Sequence, residues 1–541
     1  DPLDEAIVRL LANGAVAKNW KIDFGSQGQN PFAYFPFWLK VVVDSTGIYR
    51  ITGQELTQAG VGLSGLDPRT VGLWTVRRNP HTGNYPDTFN PVALMITGTE
   101  DGRFDPGDTL IFYALGADYW MSDCSTHVHN LYTGENVYWL TWGAGSGRHI
   151  PGGFGPDTAG TPVRWQEWDV LHQEVDADCP ARAGLLWIWA TLDKPAGRTS
   201  TSFTCRLDLK YPVQIERIRG RLYNETAQNE IEVLFNNRLV SRFQFAQSPY
   251  PAPYDFVVDS LLPTDFRTNI LELRLSGNGE KRVHLDYLQI RYRRRLSLAT
   301  GPLSFYVDDT GRFRFRIIDV PARPLILDVT DPDNPRAVLD FELHGDTAQF
   351  CYQIRKRTVF AIAAPQQLRR VKRLELKQPG RLWAGLPADY YIITPREFLP
   401  AASELARYRN GRVPGIVNGR AEVVVLEDIY DEFNFGLREP RAVKRFLQEK
   451  RPGYVLLVGD ATYDYRNNLR RMQTPGVPAY EIGEGFNPES GDRRTLALDA
   501  WYADLDGEGA SPDLILGRVC VRSGYELREY VQKVIKYENQ P

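Results

Sequence analysis

The chain has 541 residues, too many for one hydrophobic core, so several domains are expected. Its 64 basic and 67 acidic side chains nearly cancel, which gives no global attraction to nucleic acid or anionic lipid. No run approaches the roughly 20 apolar residues of a membrane-spanning helix, and the five dispersed cysteines lack zinc or redox spacing.

Residues 1–36 form an N-terminal segment with neither an initiator Met nor the layout of a signal peptide, which reads as a mature or trimmed start. Residues 37–160 read as a β-domain. Apolar and polar residues alternate over 38–52, 108–115 and 136–142, and Gly, Pro, Asn and Asp punctuate them, as in antiparallel sheets. The Pro/Gly-rich stretch 148–162 is expected to be a linker. Residues 161–296 read as a second β-domain closed by two amphipathic strands paired across a turn at Gly277, Asn278 and Gly279. That closing pattern resembles a β-sandwich (jelly-roll) of the galactose-binding type. Residues 297–387 are again β-rich, with a strand–turn–strand reading for ILDVTDPDNPRAV.

From residue 388 the period changes. DYYIIT, AEVVVLED and YVLLVGD read as buried strands, separated by helices at EFLPAASELARYRN and EPRAVKRFLQEK. Pro400 and Pro440 fall in first turns, where a missing N–H costs nothing. Leu527, Val531, Val534 and Ile535 line one face of a last helix. Strand–helix alternation of this kind predicts a parallel sheet covered on both faces.

Several constellations carry chemistry on paper. Asp460 follows an apolar strand and a glycine, which places it at the carboxyl edge of the sheet, where open α/β folds bind ligands. Asp499, Asp504, Asp506 and Glu508 lie further along, and DLDGEG fits either part of a calcium loop or a solvated turn. Cys520, within the apolar run RVCV, reads as a small core hydrophobe; a thiolate nucleophile needs a base, and His344 is the last histidine. In DCSTHVH, residues Asp123, Cys124, His127 and His129 have the composition of a transition-metal site or of a polar surface loop. Asp101, Asp105 and Asp108 fit a calcium loop or a turn held by Asp side chains. Arg291, Arg293, Arg294 and Arg295 read as an anion-guiding patch, for lipopolysaccharide for instance, or as a charged edge strand. Trp139, Trp187 and Trp189 read as sugar-stacking surfaces or as core. One disulfide among Cys124, Cys179 and Cys205 stays open.

The series YVLLVGD, ALDAWYADLDGEG, DLILGRVCVRS and KVIKYEN resembles the first half of the catalytic domain of the gingipain family of cysteine peptidases. GIYRITGQELTQAGV, the DG-x-FD-x-GD run, HLDYLQIRY and DVTDPDNP resemble its type IX secretion signal peptidase, or sortase, branch. The resemblance implies a multidomain protein: antiparallel β-rich domains followed at 388–541 by the first half of a caspase-like α/β domain. It implies structural calcium, with Asp460 matching a ligand position and Asp499, Asp504 and Asp506 completing the set. It implies that the catalytic His and Cys lie beyond Pro541, so that this chain holds no catalytic residue and is inactive alone. The implied partners are exported proteins with C-terminal sorting signals, an outer-membrane secretion-system component and a glycan or lipopolysaccharide acceptor. The implied location is extracytoplasmic, at the cell surface of a Gram-negative bacterium. The alternative reading is a non-catalytic surface docking module.

Overall fold

Two strands that alternate apolar and polar residues bury little unless another layer covers them, and the chain meets this need three times. The computed structural model describes residues 30–540 except 78–88, 146, 154–160, 181, 183, 227–228, 245–252, 266, 471–475, 483–495 and 508–511. In the first sandwich, strand Phe37–Val43 lies between Arg373–Lys377 and Asn136–Trp142, and Gly72–Thr75 and Asn90–Val92 extend the sheet. The facing sheet holds Arg369–Arg370, Gly47–Thr52, Thr109–Ala114 and Leu94–Thr97. Leu39, Val41, Tyr49, Ile51, Phe112 and Leu140 meet in the core between them. Both sheets therefore take a strand from residues 369–377, so the 297–387 segment is shared between two sandwiches.

The second sandwich is built on the 15-residue strand Lys281–Arg295, which pairs with Pro212–Asn224 on one side and with Gln166–Glu174 and Ala190–Lys194 on the other. Its partner layer orders Ser200–Arg206, Ile270–Ser276, Glu230–Phe235 and Arg238–Gln244. The two closing strands expected to pair with each other lie in different layers. Gly277 and Gly279, at φ 127° and 73°, carry the chain across the core, so Leu271, Leu273 and Leu275 face Val283 and Leu285 instead of pairing beside them. The arginine-rich strand is likewise an interior strand, not an edge.

The third sandwich shares a sheet with the second. Gln166–Glu174 touches Leu303–Val307 through the single pair Trp168 and Tyr306, and the ladder continues through Thr358–Ala363, Leu325–Asp328 and Arg336–Val338. Ten strands belong to this one sheet. Phe305, Phe315, Phe350 and Phe360 fill the third core.

The C-terminal unit is a parallel sheet ordered Ala421–Val425, Tyr390–Thr394, Tyr454–Val458, Ile515–Val519. Helices Leu399–Arg409 and Gly524–Glu538 cover one face through Ala402, Leu405, Leu527 and Val531. Helices Leu426–Phe433 and Pro440–Lys450 cover the other through Ile429, Phe433, Val443 and Phe446. AEVVVLED is thus not all strand: it turns to helix at Leu426, and Val425 caps that helix with no side-chain hydrogen bond, so no capping residue marks the change. The unit docks on the outer face of the first sandwich. There Trp38, Trp74 and Trp139 pack with Phe435 and Leu437, the Trp139 indole donates to the Phe435 carbonyl at 2.9 Å, and Lys40 and Lys377 both pair with the buried Asp431.

Candidate functional site

Parallel strands leave their carboxyl ends open to a ligand, so the chemistry of this unit is expected where Tyr454–Val458 and Ile515–Val519 end. Asp460 is there. Gly459, at φ 105°, turns the backbone, and the Gly459 and Asp460 amides donate to the carbonyls of Val519 and Val521 at 2.9 and 3.2 Å. Residue 476 approaches so closely that a Cβ on Gly476 would sit 2.3 Å from the Asp460 carbonyl oxygen. The Asp460 carboxylate forms a 3.4 Å pair with the exposed Arg522.

Arg518 organises this edge. Its Nε and Nη2 donate to the two carboxylate oxygens of Asp499 at 2.6 and 2.7 Å, while Nη1 donates to the carbonyls of Gly459 and Val477 at 3.0 and 2.6 Å. One guanidinium thus ties together the end of strand Tyr454–Val458, the later loop at Val477 and the start of helix Ala500–Ala503. Sequence inspection passes over this residue, since nothing near Arg518 in the chain announces its partners.

Asp504 and Asp506 belong to a turn. The Asp504 carboxylate accepts from the Gly507 amide at 3.0 Å, Asp506 pairs with Arg451 at 2.5 Å, and Asp513 accepts from the Leu505 and Asp506 amides at 2.5 and 3.2 Å. Lys444 donates to the carbonyls of Trp501 and Asp504, so the turn is fixed to helix Pro440–Lys450. Among the described residues, no three of Asp460, Asp499, Asp504 and Asp506 bring ligand atoms within 4.8 Å of one another. In this arrangement they do not fit a calcium cage; each has its own cationic or amide partner. Glu508 lies outside the described residues.

Cys520 is exposed, which corrects its reading as a core residue. The strand ends at Val519, and the alternation that buries Val519 and Val521 turns the side chain between them outward. All five cysteines are free thiols, so no disulfide forms among the first three.

The remaining candidates fall elsewhere. The Asp101, Asp105 and Asp108 run is a turn: Asp108 accepts from the Asp105 amide at 2.6 Å and Asp101 from that of Arg103 at 3.0 Å. Arg294 is buried against Asp169 at 2.8 Å, and Arg291 and Arg293 lie over the Trp168 ring, so the arginine run is largely consumed inside the molecule. Trp139 and Trp187 are buried, and Trp189 packs on Phe203. His81 lies outside the described residues.

DCSTHVH is split by the fold. Asp123 closes its own turn by accepting from the Ser125 and Thr126 amides, and burial pushes the Cys124 thiol up to about 12. His127 stacks on His172 at 3.7 Å; burial and that neighbour push it down to about 3. His129 turns away to Asp118, 3.2 Å from its Nδ1, and toward Glu174 and Asp176. Those two carboxylates, about 45 residues further on, went unnoticed in the sequence because only the fold brings them near.

Comparison with known proteins gives four findings. Residues 384–541 match the model of peptidase family C25. The crystal structure of dimeric latent PorU from Porphyromonas gingivalis matches with a TM-score of 0.66 at 20% identity, over 95% of this chain and 51% of that one. The chain spans about half the length of that protein. The carbohydrate-binding module CBM36, solved with calcium and xylotriose, aligns at 13% identity over 22% of this chain and 98% of its own, with a TM-score of 0.15. No curated protein matches the chain.

Proposed function

We propose, from the premise that residues 384–541 are a segment of peptidase family C25, that the chain is the N-terminal portion of a gingipain-like cysteine endopeptidase. Its work is that of a type IX secretion signal peptidase, which removes C-terminal sorting signals from exported proteins at the cell surface. The observation that carries this reading is the likeness to latent PorU across 95% of the chain, three sandwiches and parallel sheet together. A shared peptidase domain alone would leave the function open.

In the reaction a thiolate attacks the scissile carbonyl, a histidine transfers the proton, and backbone amides hold the oxyanion. The described chain contributes the platform: the edge formed by Asp460, Arg518 and Asp499. Its α/β unit holds no cysteine–histidine pair, since Cys520 is the only cysteine there and His344 is the last histidine of the sequence. On this reading the nucleophile and its base come from the part of the peptidase that this chain does not span. The acceptor of the acyl group is water or an amine on a surface glycan or lipopolysaccharide, and an outer-membrane component presents the cargo.

The test incubates an exported protein carrying a C-terminal sorting signal with this chain, and separately with the full-length protein from its source. The cargo terminus is then read by mass spectrometry. This chain is expected to leave the cargo whole, and the full-length protein to cut before the signal, inhibited by a thiol reagent. Uncut cargo, or cutting indifferent to thiol reagents, would defeat the reading.

A further inference from the structure

Three parts of the molecule meet around His129, just beyond strand His127–Val128. Glu174 ends strand Gln166–Glu174 of the second sandwich, Asp176 follows it, and Arg466 and Asn468 reach in from the α/β unit. His129, Glu174 and Asp176 each offer a ligand atom, and these atoms all lie within 4.8 Å of one another. All three side chains are half-buried.

Each of the three is oriented by a neighbour. Asp118 lies 3.2 Å from Nδ1 of His129 and fixes the orientation of the ring. His172 lies 2.7 Å from Oε2 of Glu174. Asn468 donates to Oδ2 of Asp176 at 3.0 Å, while Oδ1 of Asp176 is shut off from solvent and has no hydrogen-bond partner among the described residues. A buried acceptor left in that state is destabilising. The Glu174 carboxylate crowded beside Asp176 adds mutual repulsion, which a cation would relieve. The Arg466 guanidinium lends Asp176 positive charge, but its hydrogen bonds go to Asp118 at 3.1 Å, the Asn130 carbonyl at 3.2 Å and Nε2 of His129 at 3.5 Å.

We propose that His129, Glu174 and Asp176 bind one divalent transition-metal ion of the zinc class. One imidazole and two carboxylates form a borderline donor set, which suits zinc or its neighbours better than calcium, whose ligands are oxygens. The carboxylate on the far nitrogen of the histidine is the orienting contact that such ligands receive. The site opens on a cavity of about 420 Å³ lined by Trp187, Asp286 and Tyr287, which leaves room for water or Asp286 as a further ligand. Because the ligands and their orienting partners come from three units, the ion would clamp the peptidase-family segment to both sandwiches. The site uses none of Asp460, Asp499 and Arg518 and does not depend on the proposed activity.

The test uses the whole chain, stripped with a chelator and titrated with cobalt(II), whose visible absorption reports coordination, and then with zinc. One equivalent is expected to bind, to be displaced by zinc, and to be retained through dialysis against calcium. Asp176→Asn and Glu174→Gln should weaken binding at least tenfold, and Asp118→Asn by about 10- to 100-fold through loss of orientation. Circular dichroism identifies any variant that fails to fold; the comparison then rests on the other two. No cobalt or zinc uptake by the wild-type chain, uptake unchanged in the folded variants, or displacement by equal calcium would overturn the assignment.

Discussion

Arg518 holds Asp499 by two side-by-side hydrogen bonds of 2.6 and 2.7 Å, and spends its remaining donor atom on the carbonyls of Gly459 and Val477. Its side chain is only 11% exposed. Lysine cannot reproduce this fork, since it carries a single charged nitrogen. Arg518→Ala leaves Asp499 and two carbonyls without their donor and is expected to destabilise the α/β unit by about 3 kcal/mol. Arg518→Lys should recover less than half of that. Urea unfolding followed by tryptophan fluorescence measures both, and equal stability of Arg518→Ala and wild type would remove Arg518 from its organising role.

Gly436 sits at φ 92° where the α/β unit meets the first sandwich, and a Cβ there would lie 2.8 Å from Val137. Alanine is strained by the backbone angle and displaced by the contact, so Gly436→Ala should cost more than about 1 kcal/mol. The loss should appear at the interface: limited proteolysis is expected to separate the α/β unit from the sandwiches sooner than in wild type.

Glu481 is buried, its Oε2 lacks a partner among the described residues, and burial pushes its carboxyl up from 4.5 to about 8. The folded pKa is raised, so the contribution to stability is fully present below the unfolded value. It falls as the unfolded chain ionises, and is lost by the time pH passes the folded value near 8. Between about pH 4.5 and 8, wild type should therefore lose stability relative to Glu481→Gln. Thermal melts of the two proteins across that window give the difference; a constant gap between them would contradict the neutral carboxyl.

Native thiol reactivity should single out Cys520. It is the exposed cysteine, whereas Cys179 and Cys351 are buried and burial pushes Cys124 and Cys205 up to about 12. A disulfide reagent at pH 8 should label one thiol promptly, and Cys520→Ser should abolish that phase. Two or more fast thiols in the wild-type chain would show a different exposure pattern.

What could be read from the chain was local. The period-2 runs at 38–52, 108–115 and 136–142 are strands because alternate side chains must face a core, and the strand–helix alternation after 388 forms the parallel sheet. Asp460 falls at the strand end for the same reason. What could not be read depends on distance or on missing punctuation. The return of Arg373–Lys377 to Phe37–Val43 leaves no periodic trace, and neither does the meeting of His129 with Glu174 and Asp176. The apolar run around Cys520 suggests burial on both faces, whereas this end strand alternates more and less exposed side chains. The helix at Leu426 follows its strand without a capping side chain, so the apolar run continues across a change of backbone.

Strand Phe37–Val43 finds one of its two neighbours about 340 residues later in the chain. During synthesis the first sandwich must therefore wait, one sheet edge open, until the second and third have emerged. A ribosome adding roughly 5–20 residues per second imposes a delay of tens of seconds. Over that interval the unpaired side of Phe37–Val43 is a surface for chaperones or for premature pairing. The sandwich begun first is thus the last of the three to be completed, just before the α/β unit settles against it.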